Sequence, residues 1–163
     1  MLVLGVDPGS ITTGYGIIEK TKGHLRLVDA GSISSPGTVP FYERIHEIYR
    51  AMTEIMQLYH PSEMAIEDVF FAKNVKSSLK LGHARGAALI AAVSCGIRIF
   101  EYSPLEIKKS VVGYGRAGKE QVQAMVKVIL GLPKMFGPDT SDALAAAICH
   151  LNWTRHDGRL NRT

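Results

Sequence analysis

The chain has almost no cysteine: two in 163 residues, Cys95 and Cys149. Both stand in apolar stretches, which favours buried free thiols in a reducing cytoplasm over a disulfide. No apolar run reaches the roughly 18 residues of a membrane span. The start shows no basic lead into an apolar segment, so no export signal is expected. Histidine and cysteine never gather at zinc-ligand spacing, and no segment repeats or falls into low complexity. Nor does one sign of charge dominate, with 19 Lys+Arg against 15 Asp+Glu. The small excess is unevenly placed. Residues 1–107 hold 10 basic and 11 acidic side chains, and residues 108–163 hold 9 and 4. A basic second half suits a polyanionic partner, although charge alone fits a solvated surface better.

What the chain does have is 46% hydrophobic residues in a length suited to one domain. "LVLGVD" and "TGYGIIE", split by Gly and Pro, predict a hairpin of buried strands, and "LRLVDAGSIS" a third strand. Ile45, Ile48, Met52, Ile55 and Met56 recur at helical spacing between Phe41 and Leu58. "EMAIEDVF" then reads as a fourth strand, Ser77–Ser94 as a long Ala- and Gly-rich helix, and "IRIFEY" as a fifth strand. Short helices follow over Pro104–Val112 and Lys119–Leu130, and a last one over Asp139–Trp153. The basic end of the chain, 156–163, reads as a flexible tail on a single domain of residues 1–155. This order predicts an α/β domain with a mixed sheet flanked by helices.

The acidic residues carry the chemistry. Asp7 closes the first strand, Glu67 sits within the fourth, and Asp139 and Asp142 share a face at the start of the last helix. Taken singly, Asp7 could accept bonds from the turn "DPGS", and Asp139 could cap its helix. Glu67, read as mid-strand, has no backbone end to cap. Gathered together, four carboxylates would repel one another and hold protons. Two Mg²⁺ ions would relieve that repulsion and activate a water for phosphodiester hydrolysis.

"GVDPGSITTGYGII", "AIEDVFFAKN", "LKLGHARGAAL", "VVGYGRAGKEQVQ" and "DTSDALAAAICH" together resemble the RuvC Holliday-junction resolvases, collinearly and over nearly the whole chain. The resemblance implies a ribonuclease H-like fold with a five-stranded sheet. It implies a homodimer that makes paired symmetric nicks in four-way DNA junctions, during recombination and repair, using Mg²⁺ or, in substitution, Mn²⁺. The family's acidic tetrad falls on Asp7, Glu67, Asp139 and Asp142, while Asp68 matches no catalytic position. Lys108 and Lys119 match basic residues near the scissile phosphate, and Phe70 matches an aromatic that stacks on a base, with Phe71 left to the core. The RuvA and RuvB branch-migration proteins are implied partners.

Three other readings arise from the same residues. "GYGRAG" fits a dinucleotide fingerprint, but a helix rather than a strand precedes it, so a turn beside DNA is the better reading. "GVDPGSITTGYG" also resembles the phosphate loop of actin-like and sugar-kinase-like ATPases, which need a second lobe. A junction-binding module without catalysis would not require all four acids. Finally, Gly82 and Gly86 lie four apart on a helix that is apolar nearly all round. Such a helix is covered on more than one side: one would meet the sheet, and the other could meet a symmetry mate or lie buried within the monomer.

Overall fold

The computed structural model describes residues 1–68 and 74–156, with side chains as far as Trp153. Strands β1 (Leu2–Asp7), β2 (Thr12–Thr21) and β3 (His24–Ser34) form an antiparallel meander. Helix α1 (Phe41–Tyr59) crosses back to β4 (Glu63–Glu67), which pairs parallel to β1. Helix α2 (Val75–Ser94) leads to β5 (Arg98–Tyr102), parallel to β4, and the sheet order is β3-β2-β1-β4-β5. Helices α3 (Pro104–Val112), α4 (Lys119–Ile129) and α5 (Pro138–His156) complete the fold. The expected mixed sheet of five strands is the one found.

Strand alternation divides the interior into two layers. Leu4, Val6, Ile17, Met64 and Ile66 face α1 and α2. Val3, Ile18 and Ala65 face the other side, where α5 lies against the sheet with α3 and α4 outside it. From Ala143 to Leu151 every residue of α5 is buried. That depth depends on glycine. A Cβ at Gly5 would stand 1.9 Å from the Ala143 carbonyl oxygen, and one at Gly14 would stand 2.0 Å from that of Asp139. Glycine on the strands, with alanine at 143, 146 and 147 on the helix, lets backbone meet backbone.

Several expected boundaries shift. The fourth strand stops at Glu67 instead of continuing through it: its last partner is Tyr102, where β5 ends, and the Asp68 amide donates to the Tyr102 carbonyl oxygen. Glu67 therefore stands at a strand end. Helix α2 begins at Val75, two residues early, because the Asn74 side chain accepts from the Ser77 amide and caps it there. Helix α5 runs to His156, one residue into the stretch read as tail, while 157–163 lie outside the described residues. Cys149 is buried as expected, but Cys95, the cap at the end of α2, is only half-buried.

Candidate active site

Asp7 ends β1 on the α5 face, two and four residues beyond Gly5 and Val3. Glu67 ends β4 on the same face, following Ala65. The parallel register pairs Val6 with Ile66, so the two carboxylates leave neighbouring strands side by side. Asp139 and Asp142 occupy the first two turns of α5, which the glycines bring down onto the same strand ends. The α5 helix starts at Pro138, and the Ser141 amide bonds the Gly137 carbonyl oxygen, so Asp139 lies inside the first turn and does not cap it. Nor does the "DPGS" turn need Asp7. The Gly9 amide donates to the Thr13 hydroxyl (3.2 Å), which donates back to the Gly9 carbonyl (2.9 Å).

The helices outside α5 supply cations. Ser103 and Glu106 form a capping box that fixes the start of α3, and α3 presents Lys108 to the cavity. Gly113 closes α3 with φ of 90°, a left-handed turn that glycine adopts freely. Gly118 then caps α4, whose first residue is Lys119. The "GYGRAG" stretch is thus a helix-to-helix connection with no strand before it, as the sequence indicated. Lys119 Nζ reaches Asp142 Oδ2 at 2.7 Å.

These groups surround a cavity of about 300 Å³, lined by Asp7, Glu67, Lys108, Lys119 and Asp142 over an apolar floor that includes Ile107 and Val122. Asp139 stands outside this lining but acts on Asp7 through its charge. Burial, then the charges of Asp142, Glu67 and Asp139, push the Asp7 carboxyl up to about 8, against a smaller opposing effect of Lys119. Glu67 is raised for the same reasons, burial first and Asp142 second, with Lys119 and Lys108 opposing. The Asp142 hydrogen bond raises Lys119 in turn.

Hard carboxylate oxygens gathered where burial and mutual repulsion disfavour charge on Asp7 and Glu67 are a donor set suited to a cation such as Mg²⁺. Among the described residues the carboxylates are not closed on a single point as a finished metal cage, and Lys119 occupies one of them. Thus Asp7, Glu67, Asp142, Lys108 and Lys119 meet at one cavity, and Asp139 borders it. Phe70 and Phe71 lie outside the described residues.

The reading of the sequence missed one contributor. Arg85 of α2 pairs with Glu101 and lies 3.8 Å from Asp68, and its Nε donates to the Glu67 carbonyl oxygen at 3.4 Å. This guanidinium ties the end of β4 to α2. "GHARG" carries no signal for it, because the contact joins residues 18 apart through backbone.

The sequence profile described as "Crossover junction endodeoxyribonuclease RuvC" matches residues 3–150. Proteins of that name from Geotalea uraniireducens and Geobacter sulfurreducens are 49% and 52% identical to the chain, over 98% and 93% of it and 94% and 93% of their own lengths. Thermus thermophilus RuvC in complex with Holliday junction substrate superposes with a TM-score of 0.90 at 34% identity, covering 96% of each chain. The yeast mitochondrial resolvase Ydc2, at 10% identity and a TM-score of 0.65 over 94% of this chain and 80% of its own, shares the fold. The architecture is the ribonuclease H-like one. With a family match spanning β1 to α5 and half the residues shared with its relatives, the chain belongs to the RuvC family of crossover junction endodeoxyribonucleases.

Proposed function

We propose that the protein resolves four-way DNA junctions by paired, symmetric phosphodiester hydrolysis. The observation that carries this reading is the meeting of Asp7, Glu67 and Asp142, with Asp139 beside them and two lysines opposite, at one cavity of a RuvC-family fold. Asp7, Glu67, Asp139 and Asp142 would hold divalent ions, two Mg²⁺ being the proposed set and Mn²⁺ an alternative. Bound there, such ions supply an activated water and a counter-charge for the departing oxygen.

The chain's own residues do the rest. The strand ends hold Asp7 and Glu67 rigidly side by side, so little motion is needed to assemble the donors. Lys119 neutralises Asp142 in the resting protein. A phosphodiester in the cavity offers Lys119 and Lys108 a competing anion, so both can contact the scissile phosphate and offset charge that grows on its oxygens. The products are a 5′-phosphate and a 3′-hydroxyl. Phe70 is proposed as the aromatic that stacks on a base at the opened crossover.

We infer a homodimer as well. On the face away from the sheet, α1 and α2 enclose an apolar groove of about 850 Å³. Gly82 and Gly86 have open space above them, and Val75, Leu79 and Ile90 are more than half exposed. Large exposed apolar patches of this kind mark an interaction surface, and a second copy would place two identical sites on a two-fold substrate. Ultracentrifugation at micromolar concentration is expected to show a dimer, and Ile90→Glu a monomer. Two wild-type monomers per junction, without self-association, would remove this inference. RuvA and RuvB are proposed partners, tested by co-purification with each. Two free thiols and a chromosomal substrate fit the cytoplasm.

The direct test offers a synthetic four-way junction with Mg²⁺ or with chelator and maps the nicks. Symmetric nicks that require the metal support the reading. Binding without cleavage at several pH values and on varied sequences would leave a junction-binding module instead.

A further inference from the structure

On the α1 and α2 side of the sheet lies a group of cations that the cavity does not use. Arg44, in the first turn of α1, is only 6% exposed. Its Nη1 donates to the Ser10 carbonyl oxygen at 2.9 Å, in the turn that leaves Asp7, while its buried Nε has no partner. The guanidinium lies 5.5 Å from the centre of the Phe41 ring. The Lys80 ammonium, from α2, lies 5.8 Å from the same ring centre, and His83 meets the ring edge-on at 5.6 Å. Among the described residues neither Arg44 nor Lys80 is paired with a carboxylate, and Glu43, in the same turn as Arg44, makes no ion pair with either. The start of α1 is also without a side-chain cap, since its first turn follows Pro40.

A buried cation without an anion is costly, and an aromatic face offsets only part of that cost. The position of the group says which anion would complete it. Ser10 follows Asp7 by three residues, α1 begins at the end of the sheet where β1 and β4 finish, and α2 begins there too. Lys80, Arg44 and Phe41 therefore share that end of the molecule with the catalytic cavity but lie on the opposite layer of the sheet. A nucleic-acid strand entering the cavity presents phosphodiesters to its surroundings in a regular row.

We propose that Lys80, held over Phe41 and backed by the buried charge of Arg44, is a backbone-phosphate contact for the DNA outside the scissile step. The inference rests on the junction-cutting reading. Lys80 makes the contact. Arg44 is a positioning residue that fixes the ring and the turn after Asp7, and adds its field from below. Such a contact carries no base information and reveals itself through counterion release.

The test measures junction affinity in chelator between 50 and 200 mM salt. Lys80→Gln is expected to lower the slope of log K against log salt by about 1.8, about 0.9 for each protomer of the dimer, so that the wild-type advantage shrinks ~12-fold over that range. Lys80→Arg should restore the slope. Lys22→Asn removes the same charge from the β2–β3 turn at the far end of the sheet, where its left-handed backbone suits asparagine, and should leave the slope unchanged. A wild-type slope in Lys80→Gln, or the same fall in Lys22→Asn, would overturn the phosphate contact while leaving the nuclease reading intact. A wild-type protein that fails to bind the junction would overturn the nuclease reading itself, and the contact with it. Arg44→Lys keeps the charge and loses the fork. A thermal midpoint near wild type with a slower approach to full cleavage supports its positioning role, and unchanged cleavage removes that role.

Discussion

The two faces of the sheet are packed by different rules. On the α5 face, Gly5 of β1 meets Ala143 and Ala147, Gly14 and Gly16 of β2 meet Asp139 and Leu144, and Ala143 to Leu151 are buried without exception. On the other face, α1 and α2 bury one stripe each, Ile48, Met52 and Met56 against Ala84, Ala88, Ala91 and Ala92, and leave Leu79, Ile90 and Val93 in solvent. The first face is closed and ends in mutually repelling carboxylates. The second is open and ends in an apolar groove. A rigid layer can hold like charges together because it has no slack to separate them, whereas an open layer keeps surface for something outside the chain.

Four experiments probe this contrast, in decreasing order of expected effect. Asp7→Asn removes the carboxylate on which Asp142, Glu67 and Asp139 all act. Cleavage of a four-way junction should fall by more than the roughly 100-fold typical of losing a residue one step removed from a metal, while binding is kept. Cleavage at the wild-type rate would mean that the closed face is not catalytic.

Gly5→Ala tests the closure itself. Its Cβ would stand 1.9 Å from the Ala143 carbonyl oxygen, so α5 must lift. Overpacking of this kind costs about 1–3 kcal/mol, read as a fall in the urea midpoint. Gly82→Ala, on the open face, has nothing within 4 Å in its own protomer and, read on the dissociated protomer, should be neutral or slightly stabilising. Equal losses in the two variants would erase the contrast.

Lys119→Gln leaves Asp142 without its ion pair. Junction cleavage should slow by about tenfold or more, within the range of electrostatic contributions to a transition state, and affinity should change far less. An unchanged rate would make Lys119 a surface lysine.

The smallest effect concerns pH. The Asp7 carboxyl is raised from 3.8 to about 8, so the folded protein holds a proton that the unfolded chain has released between those values. Stability without metal is then greatest below about pH 4 for this group and is lost as pH rises through 8. Thermal melts in chelator should show a midpoint falling by a few degrees from pH 5 to 9. Asp7→Asn should flatten that fall, and so should added divalent ion. A midpoint indifferent to both would mean that the carboxylates do not share charge.

Much of this was legible in the residues. Helical spacing located α1 and α4 to within a residue, and "VDPG" marked the end of β1 at Asp7. Glu67 shows where such reading fails. "MAIEDVF" continues in apolar residues past its acids, and the strand ends at Glu67 opposite Tyr102, where its partner β5 runs out. Arg44 and Arg85 show the same limit. Neither belongs to a local motif, and each acquires its role from a backbone carbonyl, Ser10 for one and Glu67 for the other.

The sequence by itself determined the elements, the two-residue alternation that puts Asp7 and Glu67 on the face of their strands, and the three-residue spacing that aligns Asp139 with Asp142. These are short-range consequences of backbone geometry. Only the tertiary structure decided that the two pairs would meet, because that depends on how close α5 can come to β1 and β2. The distance is set by side chains that Gly5 and Gly14 do not have. Absence of atoms across more than a hundred residues of chain, from Gly5 to Ala143 and from Gly14 to Asp139, is invisible to any local reading, and it is what brings the charges together.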